Sequence, residues 1–160
     1  MATGLGKTLL AAFDVDALRT SLGRMPRVLF LAHRSELLEQ AAAAFRRVFP
    51  DARFGWFAAD RADTDGDVTF ASVAKLSQPA RLDAFLSRAG NAPDYVIVDE
   101  VHHATATSYR RILDRLEPGF VLGLTATPDR LDEADVLGLL DDNLVYRADL
   151  GVGIAHGRLS

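Results

Sequence analysis

The 160-residue sequence contains no cysteine, which excludes disulfide scaffolds, thiolate metal sites and cysteine nucleophiles. It has no basic excess, since 18 lysines and arginines stand against 22 acidic residues and give a net charge of −4. The sequence therefore has no basic stripe that would indicate nucleic-acid binding, although a local cleft on an acidic protein can be positive. The longest buried-looking apolar run, residues 28–32, is far too short to span a bilayer. We therefore expect a cytoplasmic protein without a membrane partner.

The composition itself is that of an ordinary globular domain. Hydrophobic residues make up 49% of the chain and charged residues 25%, which excludes collagen-like, disordered and coiled-coil classes. A chain of this length suits one domain with a real core.

Apolar, strand-like segments alternate with amphipathic, helix-like segments along most of the chain. The predicted strands are 27–32, 53–58, 67–71, 94–99 and 120–124, and the predicted helices are 8–22, 35–49, 80–88 and 107–116. Residues 60–67 are predicted to form a polar loop. Because the strands are apolar throughout, the pattern predicts a parallel sheet with helices on both faces. The pattern fades after residue 142, so we predict a domain over 1–148 and a frayed tail over 149–160.

The segment Thr3-Gly4-Leu5-Gly6-Lys7-Thr8 matches the end of the phosphate-binding loop G-x-x-x-x-G-K-[ST], although Met1 stands at the first glycine position. In such a loop the backbone N–H groups close around phosphate oxygens, and the following helix presents its positive end. Lys7 would reach the outer phosphates and the Thr8 hydroxyl would bind magnesium. The alternative is a glycine turn before a helix, with a lysine there by chance.

A second signal is the apolar strand that ends in Asp99-Glu100. It puts two carboxylates at the carboxyl edge of a parallel sheet, where ligands bind in open α/β folds. One carboxylate can hold a magnesium shell while its neighbour positions an attacking water. The alternative is an ordinary acidic turn. The adjacent pair His102-His103 is not expected to bind a metal, because neighbouring residues seldom converge on one ion.

Three weaker signals have hydroxyls or an arginine at predicted strand ends. They are the segments 32–37 (AHRSEL), 69–72 (TFAS) and 122–128 (LGLTATP). Each one alone is typical of a strand end or a helix cap. Together they predict a polar cluster at the carboxyl edge of the sheet.

In this order, the segments resemble the first motor domain of superfamily two helicases and translocases. ATGLGKT resembles motif I, AHRSELLEQ motif Ia, TFASVAKL motif Ic, VDEVHH motif II and LGLTATPDR motif III. The sequence Asp-Glu-Val-His favours the DEAH-like branch, and DEVHHATATSYRRIL followed by GLTATPDR is similar to bacterial helicases related to restriction-enzyme motor subunits. The resemblance implies a partial RecA-like P-loop NTPase fold, a three-layer sandwich with a mainly parallel sheet.

The resemblance also implies a role for each motif residue. ATP and Mg²⁺ would be held by Gly4, Leu5, Gly6, Lys7 and Thr8. Asp99 would bind magnesium, and Glu100 would be the catalytic base. His102 would couple the nucleotide site to motif III through Thr125 and Thr127. The nucleic-acid backbone would be contacted by Arg34, Thr69 and Ser72.

The sequence departs from the family in lacking the strand before the P-loop, the adenine-recognition segment and the second RecA-like domain with its arginine finger. We therefore expect a fragment: the ATP-binding half of a DNA helicase or translocase, acting on DNA rather than RNA. A second RecA-like domain, and a nuclease or methylase, are its expected partners. The alternative is a non-catalytic P-loop fragment or interaction module. Alone, the chain is expected to be a poor ATPase of marginal stability, because losing an inner strand leaves backbone groups unpaired.

Overall fold

The computed structural model describes residues 3–58, 60–89, 93–99, 106–125, 144–149 and 152–155. The helices are α1 (Thr3–Leu22), α2 (Ser35–Val48), α3 (Val73–Leu76), α4 (Pro79–Ala89) and α5 (Ala106–Leu116). The strands are β1 (Val28–Ala32), β2 (Phe54–Ala58), β3 (Arg61–Asp63), β4 (Val68–Ser72), β5 (Tyr95–Asp99), β6 (Phe120–Thr125), β7 (Leu144–Asp149) and β8 (Val152–Ala155). Within these residues no helix is both long enough and apolar enough to cross a membrane.

The strands form one sheet in the order β3-β2-β4-β1-β5-β6-β7-β8. The six inner strands are parallel, and only the edge pairs β2–β3 and β7–β8 are antiparallel. The carboxyl ends of the parallel strands therefore meet at one edge. Strand β1, which is buried at all five positions, lies at the centre between β4 and β5.

Helices cover both faces of this sheet and make the predicted three-layer sandwich. One face packs against α1 and α2 through Ala11, Ala12, Val15, Leu38, Ala41 and Phe45. The other face packs against α3, α4 and α5 through Leu76, Leu82, Phe85, Ile112, Leu113 and Leu116. Alternate residues of one strand enter the two cores, as the strand period of two requires: Phe30 faces α2, whereas Leu29 and Leu31 face the opposite side. The fully apolar strands are explained by this double burial.

Strand β3 lies inside the segment predicted as a polar loop. It pairs antiparallel with β2, and the Arg61 guanidinium stacks over the Trp56 ring at 4.1 Å from its centroid. The Lys75 ammonium donates to the Arg61 carbonyl at 2.9 Å. Three residues without an apolar pattern form a strand here because a neighbouring edge supplies the hydrogen-bond partners, which the local sequence does not reveal.

The chain also continues as strand beyond the point where the pattern fades. Strand β7 crosses the predicted boundary at residue 148, and β8 lies within the predicted frayed tail, 149–160, so that prediction is wrong for Val152–Ala155. Strand β7 pairs with β6 in parallel, and β8 then pairs with β7. Backbone pairing to an existing sheet holds these short segments. Among the described strands every inner one has two neighbours, so the expected unpaired inner edge is not observed.

Candidate functional site

Asp99 ends β5 at the carboxyl edge of the sheet, on the face covered by α1. Ile97 and Tyr95, two and four residues earlier on the strand, pack into the core on that same face, and a strand directs every second side chain to one side. Register brings other strand ends to the same level: Asp99 pairs with Leu124 of β6, and Ala32 of β1 pairs with Ser72 of β4.

Lys7 of α1 meets this carboxylate. Its Nζ lies 3.6 Å from Asp99 Oδ1, and the two side chains are 4% and 6% exposed. The neighbouring Thr8 is likewise buried, with 4% of its surface exposed. The structure thus brings together the cation of the N-terminal motif and the carboxylate of the strand that ends in Asp-Glu.

A buried ion pair of this kind contributes little to stability. Removing two charges from water costs several kcal/mol per ion, roughly what their attraction returns, and an apolar pair of similar volume often does better. Paired charges in a buried site at a sheet edge are instead typical of a functional centre.

The glycine-rich segment of the motif differs from the prediction. Residues Thr3–Gly6 form the first turn of α1, whereas a loop was expected before a helix starting at Thr8. Two helical glycines cost only about 1 kcal/mol each, and the apolar run after Thr8 favours extending the helix backwards, because propagation adds one hydrogen bond per residue. The first four N–H groups of a helix have no partner within it, so those of Thr3–Gly6 still point away from the helix at the positive end of its dipole.

Open space adjoins this turn. Gly6 is exposed, and a Cβ added to it would meet no atom within 4 Å. Packing in the structure therefore does not require glycine at this position. A group that approaches the backbone closely, as a phosphate does in a P-loop, would require it.

At the other end of β5, the Tyr95 hydroxyl donates a hydrogen bond to the Asp14 carboxylate of α1. Tyr95 is almost fully buried, and its ring lies 5.0 Å from that of Phe120. Burial, followed by the hydrogen bond and the negative charge of Asp14, raises the pKa of Tyr95 far above its usual range. Tyr95 is therefore a neutral donor at physiological pH.

The residues predicted to contact nucleic acid fall in two places. Arg34 is exposed at the start of α2, just beyond the end of β1, and Ser72 ends β4 with its hydroxyl accepting from the Lys75 N–H at 3.3 Å. Thr69, however, is the second residue of β4, only 6% exposed, and it lines a small cavity with Arg27 and Pro93 near the opposite edge. Its predicted position at the carboxyl edge is wrong, because Thr69 lies three residue steps, about 10 Å, before Ser72 on the strand.

Some predicted residues lie outside the described part of the chain, namely Glu100, His102 and Thr127. Thr125 is the last residue of β6, one position beyond the Asp99–Leu124 pair, and its backbone is in register with Arg147 of β7.

The sequence analysis missed the contact between Asp14 and Tyr95. A signal for it was present, because Tyr95 is the only residue with a polar group among the first four of the apolar strand YVIVD, and a buried tyrosine hydroxyl usually finds a partner. Asp14 follows Lys7 by seven residues, two helical turns, which puts both on one face of α1.

The residues at the carboxyl edge have the chemistry that a magnesium ion needs. Mg²⁺ is usually held by one or two protein oxygen ligands together with substrate phosphates. Two such ligands are the Asp99 carboxylate, which lies beside Lys7, and the hydroxyl of Thr8, which is buried and follows Lys7 in α1.

Comparison with known proteins finds a matching family and similar sequences over most of the chain. Residues 1–130 match the family described as "Type III restriction enzyme, res subunit". The chain is 34% identical over 160 residues to "Putative ATP-dependent helicase IRC3" of Saccharomyces cerevisiae, covering 91% of this chain and 22% of the relative. It is 30% identical over 164 residues to "Type I restriction enzyme EcoAI endonuclease subunit" of Escherichia coli, covering 100% of this chain and 20% of the relative. The chain thus spans about a fifth of these relatives.

Two solved structures share the fold. One is a nuclease-deletion mutant of the Type ISP restriction-modification enzyme LlaGI in complex with a DNA substrate mimic, with a TM-score of 0.58 at 19% identity over 78% of this chain and 13% of that one. The other is the Sulfolobus solfataricus SWI2/SNF2 ATPase core in complex with dsDNA, with a TM-score of 0.61 at 20% identity over 86% of this chain and 29% of that one. Motif order, sheet topology and family match all agree, and the chain belongs to the family described as "Type III restriction enzyme, res subunit", as a first RecA-like domain of the superfamily two helicases and translocases.

Proposed function

We propose that this chain is the ATP-binding half of a DNA helicase or translocase, in which ATP hydrolysis drives movement along nucleic acid. The observation that carries the proposal is the buried contact between Lys7 Nζ and Asp99 Oδ1. It joins the two residue types that phosphoryl-transfer sites require, a cation for the outer phosphates and a carboxylate for magnesium. Family membership favours this function over the alternative of an interaction module without turnover.

In the proposed mechanism the two members of the ion pair exchange partners. Their separation of 3.6 Å is longer than the 2.7–2.9 Å typical of a charge-assisted hydrogen bond, so the exchange breaks no short bond between them. With Mg-ATP bound, Lys7 would contact the outer phosphates, Asp99 and Thr8 would hold the magnesium ion, and the N–H groups of Thr3–Gly6 would donate to phosphate oxygens. Bound magnesium would neutralise phosphate charge during the transfer.

Further roles belong to this proposal because they come from the motifs. Glu100, next to Asp99 in the sequence, would orient and deprotonate the attacking water. His102 would couple the nucleotide site to Thr125 and Thr127. Arg34 and Ser72, at the carboxyl edge, would contact the phosphate backbone of the polymer.

The expected partners are also proposals. DNA as a partner is supported by the two solved structures, which are complexes with a DNA substrate mimic and with dsDNA, and a nuclease partner by the similarity to the Escherichia coli endonuclease subunit. We further propose a second RecA-like domain that completes the ATP site with an arginine finger, and a methylase as an alternative partner to the nuclease. A cytoplasmic location is part of the same proposal.

The decisive experiment compares two cations of α1. Lys7→Ala removes the buried ammonium at the site, whereas Arg19→Ala removes an exposed guanidinium near the other end of the helix, where it pairs with Asp16. We expect Lys7→Ala to weaken Mg-ATP binding at least about tenfold, as the loss of a charged hydrogen-bond donor to phosphate implies. Arg19→Ala should bind like the parent chain.

Isothermal titration of the folded variants with Mg-ATP measures both affinities, with circular dichroism as the check on folding. Equal affinities for the parent and Lys7→Ala would remove the nucleotide-site assignment. A matching loss in Arg19→Ala would mean that general charge, and not the site, holds the nucleotide.

A further inference from the structure

The sheet-facing side of α1 is made mainly of small side chains, and Leu18 also packs, partly buried, against the same core. Ala11, Ala12 and Val15 are almost fully buried against the sheet, whereas the larger Leu10 and Phe13 are 43% and 56% exposed. Apolar burial is not directional, and a face of small residues offers few knobs that would stop a helix from sliding along its axis. Further contacts are therefore needed to set the position of α1 along the strands firmly.

Two polar contacts can do so, one near each end of β5. Lys7 meets Asp99 at the carboxyl end of the strand, and Asp14 accepts from the Tyr95 hydroxyl at the amino end. The helix residues are seven apart, about 10.5 Å along the axis, and the strand residues are four apart, about 13 Å along the strand. The spacing of the two helix residues is thus similar to the spacing of the two strand residues. Because Lys7 lies at the carboxyl end of β5 and Asp14 at its amino end, α1 runs antiparallel to β5.

We propose that Asp14 and Tyr95 are positioning residues whose hydrogen bond fixes α1 along β5 and so holds Lys7 at Asp99. The inference rests on the proposed function, in which Lys7 leaves Asp99 for the phosphates. At that moment the contact at the carboxyl end is broken, and the contact at the amino end is the one that keeps the helix in place. It is suited to this role because it involves no nucleotide-binding group.

The chemistry of the pair supports a firm contact. A neutral hydroxyl that donates to a carboxylate makes a charge-assisted hydrogen bond, about twice as strong as one between neutral groups. The Tyr95 ring is fixed by its packing on Phe120, so the hydroxyl has a defined position. Because the bond is directional, it resists both sliding and rotation of the helix.

The first test measures the position of α1 directly. The chain has no cysteine, so Ala17→Cys on α1 and Asp114→Cys on α5, both exposed positions, accept a single pair of spin labels. We expect a narrow distance distribution in this labelled chain. Adding Tyr95→Phe or Asp14→Ala should broaden it, and Asp14→Asn, which keeps an acceptor oxygen, should restore it.

A matched control separates positioning from general stability. Phe85→Leu removes part of a buried ring in the core on the other face of the sheet, and it should leave the distribution narrow. The inference would be overturned if the spin-label distance distribution were equally narrow in Tyr95→Phe. It would also be overturned if the distribution were already broad in the labelled chain that keeps Tyr95 and Asp14. Broadening in Phe85→Leu would also overturn it, because destabilisation anywhere would then suffice.

The second test measures Mg-ATP affinity in the same chain by titration. If the correct helix position is populated only in part, the apparent Kd is the intrinsic Kd divided by the populated fraction. Losing one hydrogen bond therefore predicts a rise of about fivefold to tenfold in Tyr95→Phe and Asp14→Ala. Asp14→Asn should recover most of the affinity, and Phe85→Leu should lose none.

The outcomes separate the two proposals. If Lys7→Ala binds Mg-ATP like the parent, the proposed function is wrong, and the label distances still decide whether Asp14 and Tyr95 position α1. If Lys7→Ala weakens binding but Tyr95→Phe does not, the positioning inference is wrong and the proposed function stands.

Discussion

Strand β5 has an acidic residue at its end and another just before its start, and the two have opposite surroundings. Asp99, at the carboxyl edge, is buried beside Lys7. Asp94, just before the amino end, has a side chain that is 30% exposed; it accepts from the Arg24 guanidinium at 3.0 and 3.3 Å and from the Arg27 N–H at 2.8 Å. The hydrogen bond with Arg24 is the main reason that the pKa of Asp94 is lowered from its ordinary value.

The contacts at the two ends of the strand differ in how much they stabilise the fold. The Asp94 contacts close the turn between α1 and β1 onto β5, use a backbone N–H and lie partly in water, where the desolvation cost is small. The Asp99 contact is buried and joins a helix start to a strand end without a comparable gain in stability. We infer that the amino edge stabilises the fold, whereas the carboxyl edge holds charges ready for a ligand.

The largest effect is expected from Glu100→Gln, which changes the residue that follows Asp99 of the carboxyl edge in the sequence, in a protein that joins this chain to a second RecA-like domain. The amide keeps the shape of the side chain but cannot take a proton from water, so hydrolysis should fall about a hundredfold or more while ATP binding is kept. Single-turnover hydrolysis measures the change. Hydrolysis at the parent rate would show that Glu100 is not the base.

Gly6→Ala should separate binding from stability at the same edge. Alanine favours a helix over glycine by about 0.5–1 kcal/mol, and the structure has open space for the methyl group, so the free energy of unfolding should rise. Mg-ATP binding should fall about tenfold, since the side chain obstructs close approach of phosphate to the backbone.

The matched control for Gly6→Ala is Ser21→Ala in the last turn of α1, an exposed position that also gains helix propensity. It should stabilise the chain without changing affinity. Unchanged Mg-ATP binding in Gly6→Ala would mean that phosphate does not approach the backbone at this turn.

The smallest effect is expected at the amino edge. Asp94→Asn should lower the free energy of unfolding by about 1 kcal/mol at pH 7 and leave ATP affinity unchanged. The pKa of Asp94 is lowered in the folded chain. The Asp94 carboxylate therefore adds to the free energy of unfolding above the ordinary pKa of 3.8, and this stabilisation is lost as the pH falls through the lower, folded-state pKa. The difference between parent and variant should therefore shrink below about pH 4.

Urea unfolding of both chains between pH 7 and pH 2 measures this dependence. Asp83→Asn, which alters an exposed contact with Arg115, is the control and should cost a few tenths of a kcal/mol. If the difference in the free energy of unfolding between the parent and Asp94→Asn did not change with pH, the charge of Asp94 would play no part in stability.

The core elements of the fold were predictable because their patterns are local. The strand 27–32 and the helix 35–49 were predicted within one residue of β1 and α2, since an apolar run and a 3.6-residue period are properties of the segment itself. Strands β3, β7 and β8 were not predicted as strands. Their pairing partners lie elsewhere in the chain, and edge pairing leaves little hydrophobic pattern to detect.

In the candidate site, too, some residues could be predicted from the sequence and others could not. Lys7, Thr8 and Asp99 could be chosen from motif spacing, because phosphate and magnesium chemistry demands those residue types. Thr69 was misplaced because a hydroxyl within a motif does not reveal which end of its strand it occupies, and register puts it opposite Leu29 and Gly55, inside the sheet.

The sequence alone determined the α/β class, the family resemblance and the choice of Lys7 and Asp99 as candidate site residues, because these depend on residue type and local spacing. Tertiary structure decided the rest. It extended the helix through Gly4 and Gly6, added strands at both edges of the sheet, and brought Asp14 to Tyr95. Each of these depends on contacts between segments far apart in the chain, where packing and hydrogen-bond partners outweigh local preference.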